Sequence, residues 1–219
     1  MNKKYAIFDM DGTLVDSMKY WGRLGRGYLE SKGVEEVTDE IMDQIRTMTM
    51  LESSELFIKT YGLSGTPEAM AAEMYEVMDE HYRQDVPLKP GVQEYLEQLH
   101  RNGVRMCVAS STREDLLVSC LNRLGVAELF EFFLSCETVG AEKTSPLVFE
   151  EAAARLNAWP EETAVYEDAL YAAETAKRAG FYVVGVYDVN AAKHWEALRL
   201  LSDEVISDWQ EASGYLAKE

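Results

Sequence analysis

The chain has 219 residues, 47% apolar and 27% charged, enough for a sizeable core in one domain or in a domain with an insertion. Its 39 acids against 21 bases leave a formal charge of −18, which argues against a broad nucleic-acid or anionic-membrane surface. Any site for an anionic substrate must therefore carry its own local positive charge. No apolar run approaches the roughly 20 residues that span a bilayer. Met1-Asn2-Lys3-Lys4 runs into a short strand and then into acids, so no secretory signal is expected. The expected location is the cytoplasm, and Cys107, Cys120 and Cys136, which show no metal spacing, are expected to be free buried thiols there.

In chain order, Tyr5-Ala6-Ile7-Phe8 reads as a buried strand that ends on Asp9-Met10-Asp11-Gly12-Thr13. From about Ser17 to Val86 the strand signal is missing. Helical periodicity covers Met18–Ser31, Asp39–Arg46, Leu51–Tyr61 and Pro67–Arg83, with Thr38 and Thr66 as N-caps. Met42, Met48, Met50, Met70, Met74 and Met78 recur at helix-like spacing and are expected to form the core of this segment. The pattern therefore predicts a four-helix insert, residues 17–88, joined to residues 1–16 and 89–219 through Val15-Asp16-Ser17 and Pro87-Leu88-Lys89-Pro90-Gly91.

After the insert, short β-branched strands alternate with helices. Strands are expected at Val104–Ala109, Phe132–Ser135, Ala164–Glu167, Tyr182–Val186 and Glu204–Ile206. Helices are expected at Val92–Asn102, Glu114–Leu124, Pro146–Leu156, Tyr171–Ala179 and Ala191–Leu201, three of them closed by Gly103, Gly125 and Gly180. This alternation predicts an α/β fold with a doubly wound parallel sheet, which places its site at the carboxyl ends of its strands.

Four segments at such ends carry chemistry. Two carboxylates at the end of a buried strand, Asp9 and Asp11, are costly unless something uses them, and a hard divalent cation with a phosphate is the natural user. A carboxylate that attacks phosphorus splits one hard step into two, and a second carboxylate two residues on can move the protons. Gly12 permits a sharp turn and Thr13 can orient the loop. Ser110-Ser111-Thr112 ends the next strand before a helix, where a hydroxyl and helix-start N–H groups can cradle phosphate, although an ordinary cap reads the same way. Lys143, in Gly140-Ala141-Glu142-Lys143-Thr144-Ser145-Pro146, can balance phosphate charge, although a lone loop lysine is usually solvated. Glu167-Asp168 closes another buried strand, as a metal site or as a turn. Together they form the inventory of a Mg²⁺-dependent phosphoryl-transfer site.

The set Asp9-Met10-Asp11-Gly12-Thr13, Ser110, Lys143 and Glu167-Asp168, in that order and spacing, resembles the haloacid dehalogenase superfamily, in the branch with a helical cap between the first and second motifs. The resemblance covers essentially the whole chain. It implies a Rossmann-like core with sheet order 5-4-1-2-3, the last strand flanking strand five. It implies Asp9 as nucleophile and Asp11 as general acid/base. Mg²⁺ would be held by Asp9, the Asp11 carbonyl and Asp168, with Glu167 in the outer shell. Ser110 and its neighbour Ser111 would hold the phosphate, and Lys143 would balance its charge.

The acid at position 11 points to phosphate esters, because the family's dehalogenases and phosphonate hydrolases lack it. The mutase subgroup that includes β-phosphoglucomutase carries a histidine where this chain has Trp21, and Arg46-Thr47-Met48-Thr49-Met50 aligns poorly with the mutase arginine loop. Ala172 stands where relatives often have glycine. The resemblance thus implies a phosphatase for a small phosphorylated metabolite such as a sugar phosphate or nucleotide monophosphate, with a hexose phosphomutase as the alternative. A monomer or weak dimer without nucleic-acid or membrane partners is expected. Substrate contacts are expected from Thr13, Ser110, Ser111 and Arg113 on the core side. Trp21 and Arg46, with Tyr20, Arg23, Thr47 and Thr49, are the expected contacts from the cap.

Overall fold

The computed structural model describes residues 3–45 and 48–216. The chain forms two compact units, one of Met1–Ser17 with Val86–Glu219 and one of Met18–Asp85.

The first unit is built on a six-stranded parallel sheet of order β3-β2-β1-β4-β5-β6. The strands are β1 Tyr5–Phe8, β2 Arg105–Ser110, β3 Phe133–Ser135, β4 Thr163–Glu167, β5 Tyr182–Val186 and β6 Glu204–Ile206. This is the expected order, with the last strand beside β5. Near-continuous burial along β1, β2, β4 and β5 matches their apolar sequences, as a sheet covered on both faces requires. Ile7, Cys107, Val165 and Val183 point into one layer with Val148, Phe149 and Ala152 of the helix Leu147–Arg155 and Ala172, Ala173 and Ala176 of the helix Leu170–Arg178. Their neighbours point the other way, as strand alternation dictates. On that face Tyr166 stacks between Phe8 (centroids 4.1 Å apart) and Trp209 (6.1 Å), and Tyr95 meets Trp209 edge-on. All three cysteines are free and buried.

Register positions the site. Phe8 pairs with Val108 on one side and Tyr166 on the other, so the strand ends at Asp9, Ser110 and Glu167 lie at one edge. The chain leaves β3 and crosses to β4, which makes the crevice between β1 and β4 the point where the strand order reverses. Ligands of open α/β sheets bind at such points.

Departures from the expected elements are local. A one-turn helix, Cys136–Val139, follows β3, capped by Ser135 and ended by left-handed Gly140. The expected helix Ala191–Leu201 is a 3₁₀ turn, Val189–His194, and then a helix, Trp195–Leu201. Asp188 caps the turn by accepting from the Asn190 N–H. A C-terminal helix, Trp209–Leu216, follows β6 beyond the expected elements, and its Trp209 is buried. Ala172 is fully buried in the apolar layer, so this fold accommodates a methyl group there.

The second unit consists of Met18–Ser31, Asp39–Ile45, Met50–Tyr61 and Pro67–Gln84. Leu24, Tyr28, Leu29, Phe57, Met70, Met74, Met78 and Tyr82 form its buried core. Each fully buried large side chain contributes about 1.5–3 kcal/mol. The methionine reading therefore holds for the fourth helix, whereas Met48 is 37% exposed. A Cβ at Gly25 would meet Ile45 Cδ1 at 2.7 Å, so glycine lets these segments approach. Thr66 caps the fourth helix as expected, and Thr49 with Glu52 forms a full capping box on the third. No described helix is long and apolar enough to cross a membrane.

Candidate active site

At the end of β1 the Asp9 N–H still donates to the Tyr166 carbonyl at 3.0 Å, so the sheet ladder itself aims this carboxylate. Lys143 reaches it from the loop between the one-turn helix and the helix Leu147–Arg155. Its buried ammonium donates to Asp9 Oδ1 at 2.5 Å and to Glu167 Oε1 at 2.6 Å. Glu167 Oε2 accepts from the Ala169 N–H at 3.2 Å, which fixes its plane. Asp168 lies one residue past β4, with Thr13 Oγ1 donating to its Oδ1 at 2.9 Å. Thr13 is held in turn: Trp209 Nε1 donates to its carbonyl at 3.2 Å.

Gly12 joins these two loops. It has a positive φ of 80°, and a Cβ there would stand 2.5 Å from Asp168 Oδ2. Both the turn and the close approach demand glycine.

Asp11 is held differently. Ser17 Oγ donates to its Oδ1 and Thr112 Oγ1 to its Oδ2, each at 2.6 Å. The two hydroxyls fix a partly exposed carboxylate beyond the strand end. Ser110 is buried at the tip of β2, and its Oγ accepts from the Thr112 N–H at 3.1 Å.

The electrostatics are crowded. Burial pushes the Asp9 carboxyl well above the usual range; Lys143 opposes this, while Glu167, Asp168 and Asp11 add repulsion. Burial, then the charge of Glu167, pushes Asp168 up to about 7. Burial works to discharge Lys143, but Asp9 and Glu167 outweigh it and hold the ammonium firmly charged.

Oxygens of Asp9, Glu167 and Asp168 all lie within 4.8 Å of one another, and all three residues are buried. An all-carboxylate set with uncompensated negative charge suits a hard divalent cation, which would relieve the repulsion that raises Asp9 and Asp168. The residues present therefore fit a metal ion.

The structure thus gathers Asp9, Asp11, Thr13, Ser110, Lys143, Glu167 and Asp168 at one sheet edge. Ser111, next to Ser110, lies with its Oγ 3.8 Å from Cys136 Sγ. Arg113 precedes the helix Glu114–Arg123 and pairs with Asp115 at 3.1 Å. In the helical unit Trp21 Nε1 donates to the Tyr82 hydroxyl at 2.9 Å, and Tyr20 donates to the Asp85 carbonyl at 3.2 Å. Arg46 and Thr47 lie outside the described residues. Sequence reasoning missed Ser17 and Thr112 as the partners of Asp11; hydroxyls are common in connectors and at helix starts and gave no distinguishing signal. It also passed over Lys89.

Residues 6–186 match the family of haloacid dehalogenase-like hydrolases, and the chain belongs to that family. It is 27% identical to validoxylamine A 7'-phosphate phosphatase of Streptomyces hygroscopicus subsp. limoneus, covering 94% of this chain and 96% of that protein. It is 26% identical to a phosphorylated carbohydrates phosphatase of Thermotoga maritima, over 80% of this chain and 81% of that protein. The crystal structure of a candidate beta-phosphoglucomutase from Thermotoga maritima superposes with a TM-score of 0.82, covering 98% and 99% of the two chains at 24% identity, a likeness of fold.

Proposed function

We propose that the protein is a Mg²⁺-dependent phosphatase acting on a small phosphorylated metabolite of the sugar-phosphate class, through an aspartyl-phosphate intermediate. The observation that carries the reading is the buried Asp9–Lys143–Glu167 triad beside Asp168, with Asp11 held two residues past Asp9. The similarity to a phosphorylated carbohydrates phosphatase supports the substrate class.

The chemistry follows from the residues. Asp9 attacks phosphorus, forming a P–O bond to its carboxylate while the ester P–O bond breaks. Asp11 gives its proton to the departing alkoxide. It then takes a proton from the water that attacks the phosphoryl group and frees Asp9. Lys143 neutralises charge around the attacking oxygen and the phosphate. Ser110 and the N–H groups leading into Glu114–Arg123 hold the phosphoryl oxygens. Asp9 and Asp168, with Glu167 behind them, would hold the Mg²⁺, which when bound would supply the positive charge that lets one anion approach another. Every residue named in these steps belongs to the sheet unit.

Replacing Asp9 by Asn should abolish phosphate release from a generic aryl phosphate, by about 10⁴-fold or more, while the fold survives. Full activity in that variant ends the nucleophile assignment. Incubation with β-glucose 1-phosphate and a trace of the bisphosphate separates hydrolysis from isomerisation. Release of inorganic phosphate is the expected result, and glucose 6-phosphate without it would make the protein a mutase.

A further inference from the structure

Among the described residues, the mechanism leaves unused the mostly buried ammonium of Lys89. Lys89 lies in the Pro-flanked connector, yet its side chain is only 12% exposed, and Asp188, its ion-pair partner at 2.9 Å, is 3% exposed. The same ammonium donates to the carbonyl of Gly12 and to the carbonyl of Tyr187, the latter at 3.0 Å. Three donors meet three acceptors, the full capacity of a lysine head group. The acceptors come from two places: the loop after β1 and the corner after β5.

Each partner is itself fixed. Asp188 Oδ1 accepts from the Asn190 N–H at 2.8 Å and from Asn190 Nδ2 at 3.0 Å. The Lys89 N–H donates to the Leu14 carbonyl at 2.9 Å, and the Asp16 N–H donates to the Pro87 carbonyl at 3.0 Å, so the connector runs alongside the loop it grips. Gly12 is the residue wedged against the Asp168 carboxylate, and its neighbour Thr13 bonds to that carboxylate. A continuous line of contacts therefore runs from Asp188 through Lys89 and Gly12 to Asp168.

We propose that Lys89, charge-matched by Asp188, is a positioning residue for the reaction: it pins the Gly12 carbonyl and thereby sets the Asp9–Thr13 loop against Asp168. The inference rests on the metal-dependent phosphoryl-transfer reading above. A lysine suits the place because its three donors diverge, whereas a planar guanidinium presents a flat fork. A buried ion pair gives little net stability over an uncharged pair of similar size, so stability alone is a weak reason for it. Groups that orient metal ligands from behind typically change affinity or activity about 10–100-fold when removed.

The test is the double variant Lys89→Met/Asp188→Asn, which removes both charges and keeps the oxygen that caps Asn190. Mg²⁺ binding is read by calorimetry, and turnover of an aryl phosphate by phosphate release. The expected result is a folded protein with Mg²⁺ affinity and kcat each reduced about 10–100-fold and KM within about threefold of wild type. A folded double variant whose Mg²⁺ affinity and kcat stay within twofold of wild type overturns the proposal. Should the double variant fail to fold, Asp188→Asn alone replaces it, with a loss of about threefold or more expected in both quantities and no loss counting against the proposal. A wild-type protein that binds no Mg²⁺ overturns the metal reading itself, and this inference with it.

Discussion

Among the described residues and apart from tyrosines, the buried polar side chains of the helical unit are Ser53 and Ser54, whereas the sheet unit buries Asp9, Lys143, Glu167, Asp168 and Asp188. The ion pairs of the helical unit show the same contrast. Arg26–Asp39, Lys32–Glu73 and His81–Asp85 all have one partner at least 48% exposed, while Lys143 and both its carboxylates are nearly inaccessible. One unit is an apolar core with a solvated charged surface. The other confines costly charge to a single sheet edge, and its strand register dictates which edge that is. Burial penalises these charges, and a cluster of buried, perturbed acids of this kind marks a candidate site.

Asp11→Asn removes the proton carrier but leaves the buried triad intact, so kcat should fall about 10²–10⁴-fold with KM little changed. Steady-state kinetics check this, and a variant with normal kcat would take the acid/base role from Asp11.

Next comes pH. The folded-state pKa of Asp168, about 7 against an ordinary 3.8, means that folding takes up a proton between those values. The stabilisation is complete below the ordinary value and is lost as pH rises through 7. Chelator-treated protein should therefore melt at a lower temperature at pH 8 than at pH 5, a difference on the order of a few kcal/mol. Mg²⁺ should flatten the profile. A metal-free melting temperature that climbs over this range would contradict the crowding of carboxylates.

Met74→Ala, in the core of the helical unit, should destabilise that unit by about 2–5 kcal/mol in thermal unfolding while leaving Mg²⁺ affinity unchanged. Loss of Mg²⁺ binding in this variant would blur the division between the units. At the small end, Asp39→Ala removes an exposed partner of Arg26 and should shift stability by less than about 1 kcal/mol. A larger loss would show that the surface charges of the helical unit matter more than their exposure implies.

Much of this was legible in the sequence because buried acids at strand ends violate the ordinary pattern. Asp9 and Asp11 after Tyr5–Phe8, and Glu167-Asp168 after Ala164-Val165-Tyr166, stand out as charges against apolar runs. The strand order followed from the family resemblance, which the alternation of elements alone does not specify. What stayed hidden depends on tertiary contact. Lys89 between leucine and proline reads as a solvated connector residue, and nothing local shows the two carbonyls and the carboxylate that surround it. Ser17 and Thr112 are 6 and 101 residues from Asp11 in the chain, and only folding brings both to it. Trp209 sits in a short polar C-terminal segment, so its place beneath Tyr95 and Tyr166 comes from aromatic packing that periodicity does not report.

The central claim is that the carboxylates around Lys143 exist to hold a divalent cation and a phosphoryl group together. A crystal structure of the wild-type protein soaked in Mg²⁺ and beryllium fluoride tests it most directly. The expected result is a trifluoroberyllate on the Asp9 carboxylate and a cation touching both Asp9 and Asp168. An empty strand edge, with Lys143 still closed on Asp9 and Glu167 at saturating Mg²⁺, would contradict it.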